Sequence, residues 1–169
     1  MALALMLALM LATTPGAVLA DANSDFLASL SGAYSGRGTA SILGDERGRI
    51  SCKITNDYDD SAKRLTLSGQ CASTKGKGPV RGRVSLIGGR LSGTFVTSNE
   101  NTKVTRSRGR IANGKLILST TMFNENAGRL VRLRQIIRKT GKGFTLDIHT
   151  YDRSSRSYEQ SGQITFRKR

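Results

Sequence analysis

Apolar and polar residues alternate in short segments along most of the chain after residue 32. Alternation with a period of two is typical of β-strands that bury one face. The pattern predicts ten strands: Ala33–Leu43, Arg49–Thr55, Arg64–Cys71, Val80–Ile87, Arg90–Thr97, Lys103–Ala112, Lys115–Phe123, Arg129–Arg138, Phe144–Tyr151 and Tyr158–Arg167. Because the segments between them are short, consecutive strands are expected to pair antiparallel as a meander.

Two turns predict the register of two hairpins. Asn113-Gly114 and Gly88-Gly89 have the composition of two-residue loops in which both residues take positive φ. The opposite pairs that follow are Ile111 with Leu116, Gly109 with Leu118, Leu86 with Leu91 and Gly82 with Phe95. In both hairpins the apolar partners fall on one face.

Extension of this alternation predicts an inner face that is mostly apolar. Its members are Tyr34, Gly36, Gly38, Ala40, Ile42, Ile50, Cys52, Ile54, Leu65, Leu67, Gly69, Cys71, Val80, Val84, Leu86, Leu91, Phe95, Ile111, Leu116, Leu118, Met122, Val131, Leu133, Ile137, Phe144, Leu146, Ile148, Ile164 and Phe166. We expect an all-β fold in which the meander closes into a barrel, because closure removes exposed strand edges. A two-sheet β-sandwich is the alternative. Ahead of the strands, Ser24 as an N-cap and Gly32 as a stop predict a short helix over Ser24–Leu30.

Residues 1–20 have the composition of a secretion signal. They carry no charge, contain an apolar run over Met1–Ala12 and end in Val18-Leu19-Ala20, which suits a cleavage site. A membrane anchor is the alternative, but a spanning helix needs ~20 apolar residues. We therefore expect residues 21–169 to form a single β-barrel domain in the periplasm or outside the cell. The signal lacks its usual basic start, which suggests that translation begins upstream of Met1.

The two cysteines agree with export. Cys52 and Cys71 lie on the predicted inner face of consecutive strands. An oxidising compartment is expected to join them in a disulfide, and two free buried thiols are the alternative. No metal is expected, because two cysteines without nearby histidines do not complete a tetrahedral site.

Composition adds a strong positive charge, with 27 Lys+Arg against 12 Asp+Glu and a net charge of +15. The predicted register sends many arginines outward, and we call eight of them the arginine patch: Arg81, Arg83, Arg106, Arg108, Arg110, Arg132, Arg134 and Arg138. Glu125 is the one acidic residue between Lys103 and Arg138. Because the guanidinium fork binds phosphate or carboxylate through two hydrogen bonds, the patch is interpreted as an anion-binding surface.

The expected compartment narrows the partners of this patch. In an exported protein they are lipopolysaccharide, anionic lipid head groups, acidic polysaccharide or an acidic protein. Nucleic acid is electrostatically equivalent but belongs to another compartment. The arginine strands also lack the interleaved aromatic residues of a single-strand platform, so nucleic acid is not expected.

Candidate catalytic residues are few. The one histidine, His149, is predicted to face outward beside Asp147 and Tyr151, whereas proton-transfer sites usually lie in concave pockets. The acidic segment Asn56–Asp60 lacks the glycine and later glutamate of a known calcium loop, so a solvated turn is expected there. We expect no enzymatic activity and no cofactor.

The start of the first strand resembles known barrel families. Gly32-Ala33-Tyr34-Ser35-Gly36-Arg37-Gly38 resembles the G-x-W-x-G start of calycin-type barrels such as lipocalins, and the G-x-W-x-G-x-G start of nitrobindin-like barrels, with Tyr34 in place of tryptophan. The resemblance implies an interior cavity for an apolar ligand, or haem in the nitrobindin case. Haem is not expected, because the one candidate axial ligand, His149, is predicted to face out.

A small apolar ligand would need polar groups that orient it. The inner-face candidates are Tyr34, Thr105, Ser107, Thr120, Gln135, Tyr158 and Gln160. An interior filled by side chains, with no ligand, is the alternative.

The whole chain also resembles a group of small secreted alphaproteobacterial proteins. Their pattern FLxxLxGxYxGxGxA, a cysteine pair in the next hairpin and an ITFRxR-like end correspond to Phe26–Ala40, Cys52 with Cys71, and Ile164–Arg169. This resemblance implies export and fold but no activity. Two functions follow: a non-enzymatic protein that binds an anionic envelope component or acidic partner through the arginine patch, and a calycin-like carrier of a small apolar ligand.

Overall fold

The computed structural model describes residues 15–41, 47–74, 76–97, 102–125 and 128–169, with side chains from residue 22 onward except that of Thr102. One helix and ten strands form in chain order: α1 Pro15–Ala28, β1 Gly32–Ala40, β2 Gly48–Asp59, β3 Arg64–Ser73, β4 Gly76–Ile87, β5 Arg90–Thr97, β6 Thr102–Ala112, β7 Lys115–Asn124, β8 Arg129–Thr140, β9 Gly143–Asp152 and β10 Ser157–Lys168. All ten predicted strands are present.

The sheet closes on itself. Each strand pairs antiparallel with its neighbours in sequence, and β1 pairs with both β2 and β10. The predicted all-β barrel is therefore confirmed, and the sandwich alternative is wrong. A closed antiparallel barrel of ten strands fits a calycin-like fold. Closure leaves each strand with one face toward the interior and one toward solvent.

The predicted inner face is confirmed wherever it is described. Every predicted member from Tyr34 to Phe166 is buried or half-buried, and Ile42 lies outside the described residues. Inside the barrel, the Phe144 ring lies 4.9 Å from Tyr34, 5.4 Å from Phe95 and 4.8 Å from Phe166, measured between ring centroids. Tyr34, Phe144 and Phe166 come from the neighbouring strands β1, β9 and β10, and Phe95 comes from β5 across the barrel. Side chains therefore fill the interior where these rings meet.

The two diagnostic turns have the predicted geometry. Asn113 and Gly114 take φ of 50° and 67°, and Gly88 and Gly89 take 55° and 74°. Three of the predicted opposite pairs are confirmed: Ile111 with Leu116, Gly109 with Leu118, and Leu86 with Leu91. The fourth, Gly82 with Phe95, falls at an irregularity between Arg81 and Arg83, where the register of β4 and β5 shifts.

The helix is longer than predicted and lies against one end of the barrel. It runs over Pro15–Ala28, where the sequence predicted Ser24–Leu30. Leu27 and Leu30 are fully buried, and the Asn56 Nδ2 atom donates a hydrogen bond to the Leu30 carbonyl at 3.0 Å. These contacts make α1 a cap on this end, which we call the helix end.

Part of the acidic segment belongs to β2, which corrects the prediction of a turn over Asn56–Asp60. The strand continues to Asp59, and the Tyr58 hydroxyl lies 2.6 Å from the hydroxyl of Ser24 in α1. The segment therefore helps to hold the helix. The opposite end of the barrel, where the odd-numbered strands finish, we call the loop end.

The expected cleavage point after Ala20 falls within α1, and the buried leucines follow it in the chain. No helix among the described residues is long and apolar enough to span a membrane.

The disulfide is confirmed. Cys52 and Cys71 face each other across β2 and β3 and are bonded, with a separation of 19 in sequence number. A covalent link across this hairpin restricts the unfolded chain, and a loop of this length is worth about 3 kcal/mol in the chain-entropy account.

We expect the double substitution Cys52→Ala with Cys71→Ala to lower the free energy of unfolding by about 3 kcal/mol. Denaturant melts of the oxidised protein and the variant measure this difference. Reductant should lower the stability of the wild type toward that of the variant and leave the variant unchanged. Equal midpoints for both proteins without reductant would contradict a stabilising role.

Candidate anion-binding surface

The outer wall of β6 and β8 carries two rows of arginines. On β6, Arg106, Arg108 and Arg110 are exposed, and their strand partners on β7 also face outward. On β8, Arg132 is exposed, whereas Arg134 and Arg138 are half-buried. The six side chains share one side of the barrel because β6, β7 and β8 are consecutive in the sheet.

Register aligns the two rows in level pairs. Thr121 of β7 lies between Arg106 and Arg132, and Ser119 lies between Arg108 and Arg134. Neighbouring strands are about 4.8 Å apart, so the arginines of each pair stand about 10 Å apart across a small hydroxyl residue. We call Arg106, Arg108, Arg132 and Arg134 the arginine face.

The remaining members of the arginine patch are arranged differently. Arg81 and Arg83 are exposed on β4, which β5 separates from β6. Arg138 forms an ion pair with Asp147 of β9, whose side chain is only 2% exposed. The Gln163 Nε2 atom donates a second hydrogen bond to Asp147 at 2.8 Å. Arg138 is thus held by a buried carboxylate on β9, a strand that carries none of the arginines of the patch.

Two tyrosines extend the arginine face across β9 and β10. The Cζ atom of Arg132 lies 5.1 Å from the ring centroid of Tyr151, and that of Arg134 lies 4.1 Å from the ring centroid of Tyr158. The two rings lie 5.3 Å apart in an edge-to-face arrangement. Each ring contacts a guanidinium that has no carboxylate partner among the described residues, and this contact holds the cation in place without neutralising it.

Tyr158 and Gln160 are not in the lumen, contrary to the sequence prediction. A bulge between Gln160 and Gly162 inserts one extra residue into β10 opposite β9. An extra residue reverses the inward and outward alternation of the strand before it. Tyr158 and Gln160 therefore share the register of the outward-facing Tyr151 and His149.

The bulge also brings an aromatic residue beside the arginines, where the sequence predicted none. The arginine strands contain no interleaved aromatic residue, yet the fold brings Tyr151 and Tyr158 beside Arg132 and Arg134. The expectation that nucleic acid is not a partner then rests on compartment alone.

The arginine face is electrically unbalanced. Among the described residues, no carboxylate lies within ion-pair distance of its four members. His149 lies level with Arg134 on the next strand, and the pKa of its imidazole is lowered, first by desolvation and then by the positive charges of Arg134 and Arg138. The histidine is therefore neutral at pH 7, and the arginines supply the positive charge.

The lowered pKa makes stability depend on pH. The unfolded histidine titrates near 6.5, so between that pH and the lower folded pKa the unfolded chain binds more protons. We expect neutral His149 to make its full contribution to the free energy of unfolding above pH 6.5. This contribution should be lost as the pH falls below 6.5. The free energy of unfolding of the wild type should decrease relative to His149→Gln over this window. An NMR titration of this single histidine at or above 6.5 would contradict the assignment.

Three of the remaining lumen candidates, Ser107, Thr120 and Gln135, are inside the barrel, where they bond to the backbone of β5. Among the described residues, a single register pair, Leu91 with Gly109, joins β5 to β6. Gly93 N donates to the Ser107 hydroxyl at 2.7 Å, and the Thr120 hydroxyl donates to Gly93 O at 3.0 Å. Side chains here satisfy backbone groups that a strand partner satisfies elsewhere.

Gln135 of β8 forms further hydrogen bonds with the backbone of β5. Its Oε1 atom accepts from Phe95 N at 2.7 Å, and its Nε2 atom donates to Val96 O at 2.7 Å. The Thr94 hydroxyl donates to the same Oε1 atom at 3.1 Å. The side chain is 1% exposed, so its amide is engaged by β5 in the interior.

The other two candidates also have structural contacts. The Tyr34 hydroxyl donates to Ser31 O at 3.2 Å, and burial raises the pKa of its phenol. Thr105 is exposed at a bulge in β6 and donates to Thr121 O at 3.0 Å, so it does not line the lumen as predicted.

We expect Gln135→Leu to lower the free energy of unfolding by about 3 kcal/mol, because it leaves several buried backbone groups of β5 without partners. Chemical denaturation measures the loss. Gln70→Leu, at an exposed position on β3, is the matched control and should change stability by no more than about 0.5 kcal/mol. Equal stability of the two variants would show that Gln135 does not support β5.

The loop end holds a cleft of about 570 Å³. Arg47, Arg129 and Arg153 line it together with Asp152 and Glu159. Both charge signs are present, unlike on the arginine face. Within the described part of the chain, no three His, Cys, Asp or Glu side chains are grouped closely enough to hold a metal ion.

No protein-family model matches this chain, and no curated protein matches it. Among solved structures, the chain is similar to the di-domain ARO/CYC StfQ from the steffimycin biosynthetic pathway, with 7% identity over 92% of this chain and 82% of that chain. The TM-score is 0.22, which carries no argument about fold or activity.

Proposed function

We propose that this protein is a non-enzymatic, exported binding protein that recognises an anionic component of the cell envelope through the arginine face. The observation that carries the proposal is the level pairing of Arg106 with Arg132 and of Arg108 with Arg134, without carboxylate partners among the described residues. Surfaces that serve only solubility usually mix charges of both signs.

The spacing of the strand positions that carry the four arginines favours a polymer or a multivalent array over a single small anion. Level partners stand about 10 Å apart, and successive arginines along one strand about 7 Å apart. One phosphate cannot bridge four groups on this grid, whereas repeated phosphates or carboxylates can. Lipopolysaccharide, anionic lipid head groups and acidic polysaccharide have such repeats, and so does an acidic protein surface.

Arginine contributes more here than its charge. Each guanidinium can donate two parallel hydrogen bonds to a phosphate or carboxylate. The Tyr151 and Tyr158 rings hold two of the guanidinium groups in place, which lowers the entropic cost of binding.

A carrier of a small apolar ligand is the second candidate, and the structure supports it less. The rings around Phe144 occupy the interior near the helix end, where β9 begins, and Ser107, Thr120 and Gln135 bond to β5. The cleft at the loop end is lined by charged side chains of both signs together with Leu130, Val131 and Tyr151, which suits a ligand with polar groups better than a purely apolar one.

We expect the double substitution Arg108→Gln with Arg134→Gln to weaken binding to lipopolysaccharide and to the soluble polysaccharide alginate by about 30-fold at low salt, taking ~1 kcal/mol for each arginine. Binding of the wild type should weaken steeply as salt is raised, because the contacts are exposed. Biolayer interferometry across a salt series measures both effects.

Arg37→Gln with Arg49→Gln is the matched control. Both arginines are exposed, and they lie on β1 and β2, away from the arginine face around the barrel. The net charge changes equally in the two double variants, so general attraction predicts equal losses. Equal losses, or binding that is absent or insensitive to salt, would overturn the proposal.

A further inference from the structure

Two large apolar side chains lie side by side on the outer wall near the loop end. Phe123 of β7 and Leu130 of β8 are register partners, and they are 36% and 49% exposed. Their neighbours on the inner face, Met122 and Val131, are buried, so both side chains point away from the barrel. Neither contributes to the core.

Basic residues surround this apolar pair. Lys103 is the partner of Phe123 on the β6 side. On the other side, Leu130 lines a shallow cleft of about 320 Å³ together with Arg132, Tyr151, Arg153 and Arg156. We call Lys103, Phe123, Leu130, Arg153 and Arg156 the basic rim.

Each carboxylate near the basic rim has a partner, and Glu159, which lines the neighbouring cleft with Arg153, accepts a hydrogen bond from the Ser155 hydroxyl at 2.9 Å. Glu125 pairs with Lys103 at 2.8 Å, and Asp152 accepts hydrogen bonds from the backbone and hydroxyl of Ser154 in its own turn. Arg132, Arg153 and Arg156 have no carboxylate within ion-pair distance among the described residues. An anion in the cleft would therefore meet three guanidinium groups beside an exposed leucine.

The basic rim continues into the arginine face. Thr121 lies two residues from Phe123, and this places the first pair, Arg106 with Arg132, about 7 Å further from the loop end. Tyr151 and Tyr158 stand at the same side of the barrel. The apolar pair lies at the rim beside Arg153 and Arg156; toward the helix end follow Arg106 and Arg132 with the tyrosines, and then Arg108 with Arg134.

This order matches the layers of a lipid surface. Apolar side chains favour the acyl boundary, tyrosines favour the head-group level, and arginines contact anionic head groups. A soluble polyanion offers no apolar phase to Phe123 and Leu130, whereas a bilayer does.

We propose that the anionic partner is the surface of a bilayer that contains anionic lipid, and that the protein docks on it by the loop end, with Phe123 and Leu130 inserted among the lipids. This inference rests on the proposed function and adds the partner and the orientation of binding. Arg132, Arg153 and Arg156 bind the phosphates of the lipid head groups.

The absence of tryptophan from the chain provides a direct test. Leu130→Trp introduces a single fluorophore at the rim. Ile87→Trp introduces one at the helix end, where Ile87 is 70% exposed beside the Gly88-Gly89 turn. With vesicles of phosphatidylglycerol and phosphatidylcholine, the emission of the Leu130→Trp variant should shift to shorter wavelength and be quenched by brominated lipid, while the emission of the Ile87→Trp variant stays unchanged.

A second measurement uses the apolar pair itself. Phe123→Ser with Leu130→Ser should weaken binding to these vesicles at least tenfold and leave binding to alginate within twofold of wild type. Ile87→Ser should leave both unchanged. Both positions of the double variant are exposed, and thermal melts verify that it folds.

The outcomes separate the inference from the proposed function. Wild-type binding to alginate without binding to anionic vesicles would overturn the inference and leave the proposed function standing. Vesicle binding with no change in the emission of the Leu130→Trp variant would also overturn it, because the protein would then lie on its wall. Failure to bind either probe would overturn both.

Discussion

Closure of the sheet is the constraint on which the rest of this structure depends. The pairing of β1 with β10 leaves no strand edge in the ring, so each strand must send alternate side chains inward and outward. Burial of the inward-facing side chains drives folding. The other side chains of each strand then face outward, whatever their type. The two arginine rows share one side because β6, β7 and β8 are neighbours in this ring.

The pairing between β5 and β6 is sparse, and interior polar side chains compensate for it. One register pair joins these strands in the described part of the chain, and the polar groups of Ser107, Thr120 and Gln135 bond to β5 in place of a partner strand. A backbone group buried without a partner costs about as much as a lost hydrogen bond. Polar residues on the inner face of a barrel are therefore not by themselves evidence of a ligand. Here they compensate an irregular strand.

Bulges in the strands determine which side chains reach the outer surface. The extra residue in β10 turns Tyr158 outward, where its ring meets Arg134. The same side of the barrel carries Phe123 and Leu130 at its loop end, and helix α1 occupies the other end. The molecule thus has one end covered by its own chain and one end that combines apolar and cationic side chains. This asymmetry is the physical basis for the proposed orientation on a membrane.

Local pattern alone determined the ten strands, the hairpin registers at Asn113-Gly114 and Gly88-Gly89, the disulfide and the outward direction of the arginine rows, because a period of two and turn chemistry act within a few residues. Contacts between distant segments decided the rest. The Asp147 partner of Arg138, the tyrosines beside Arg132 and Arg134, and the support of β5 by Gln135 join residues that no short-range pattern relates. A bulge leaves no reliable mark in composition, so the inward prediction for Tyr158 and Gln160 failed where one extra residue reversed the alternation.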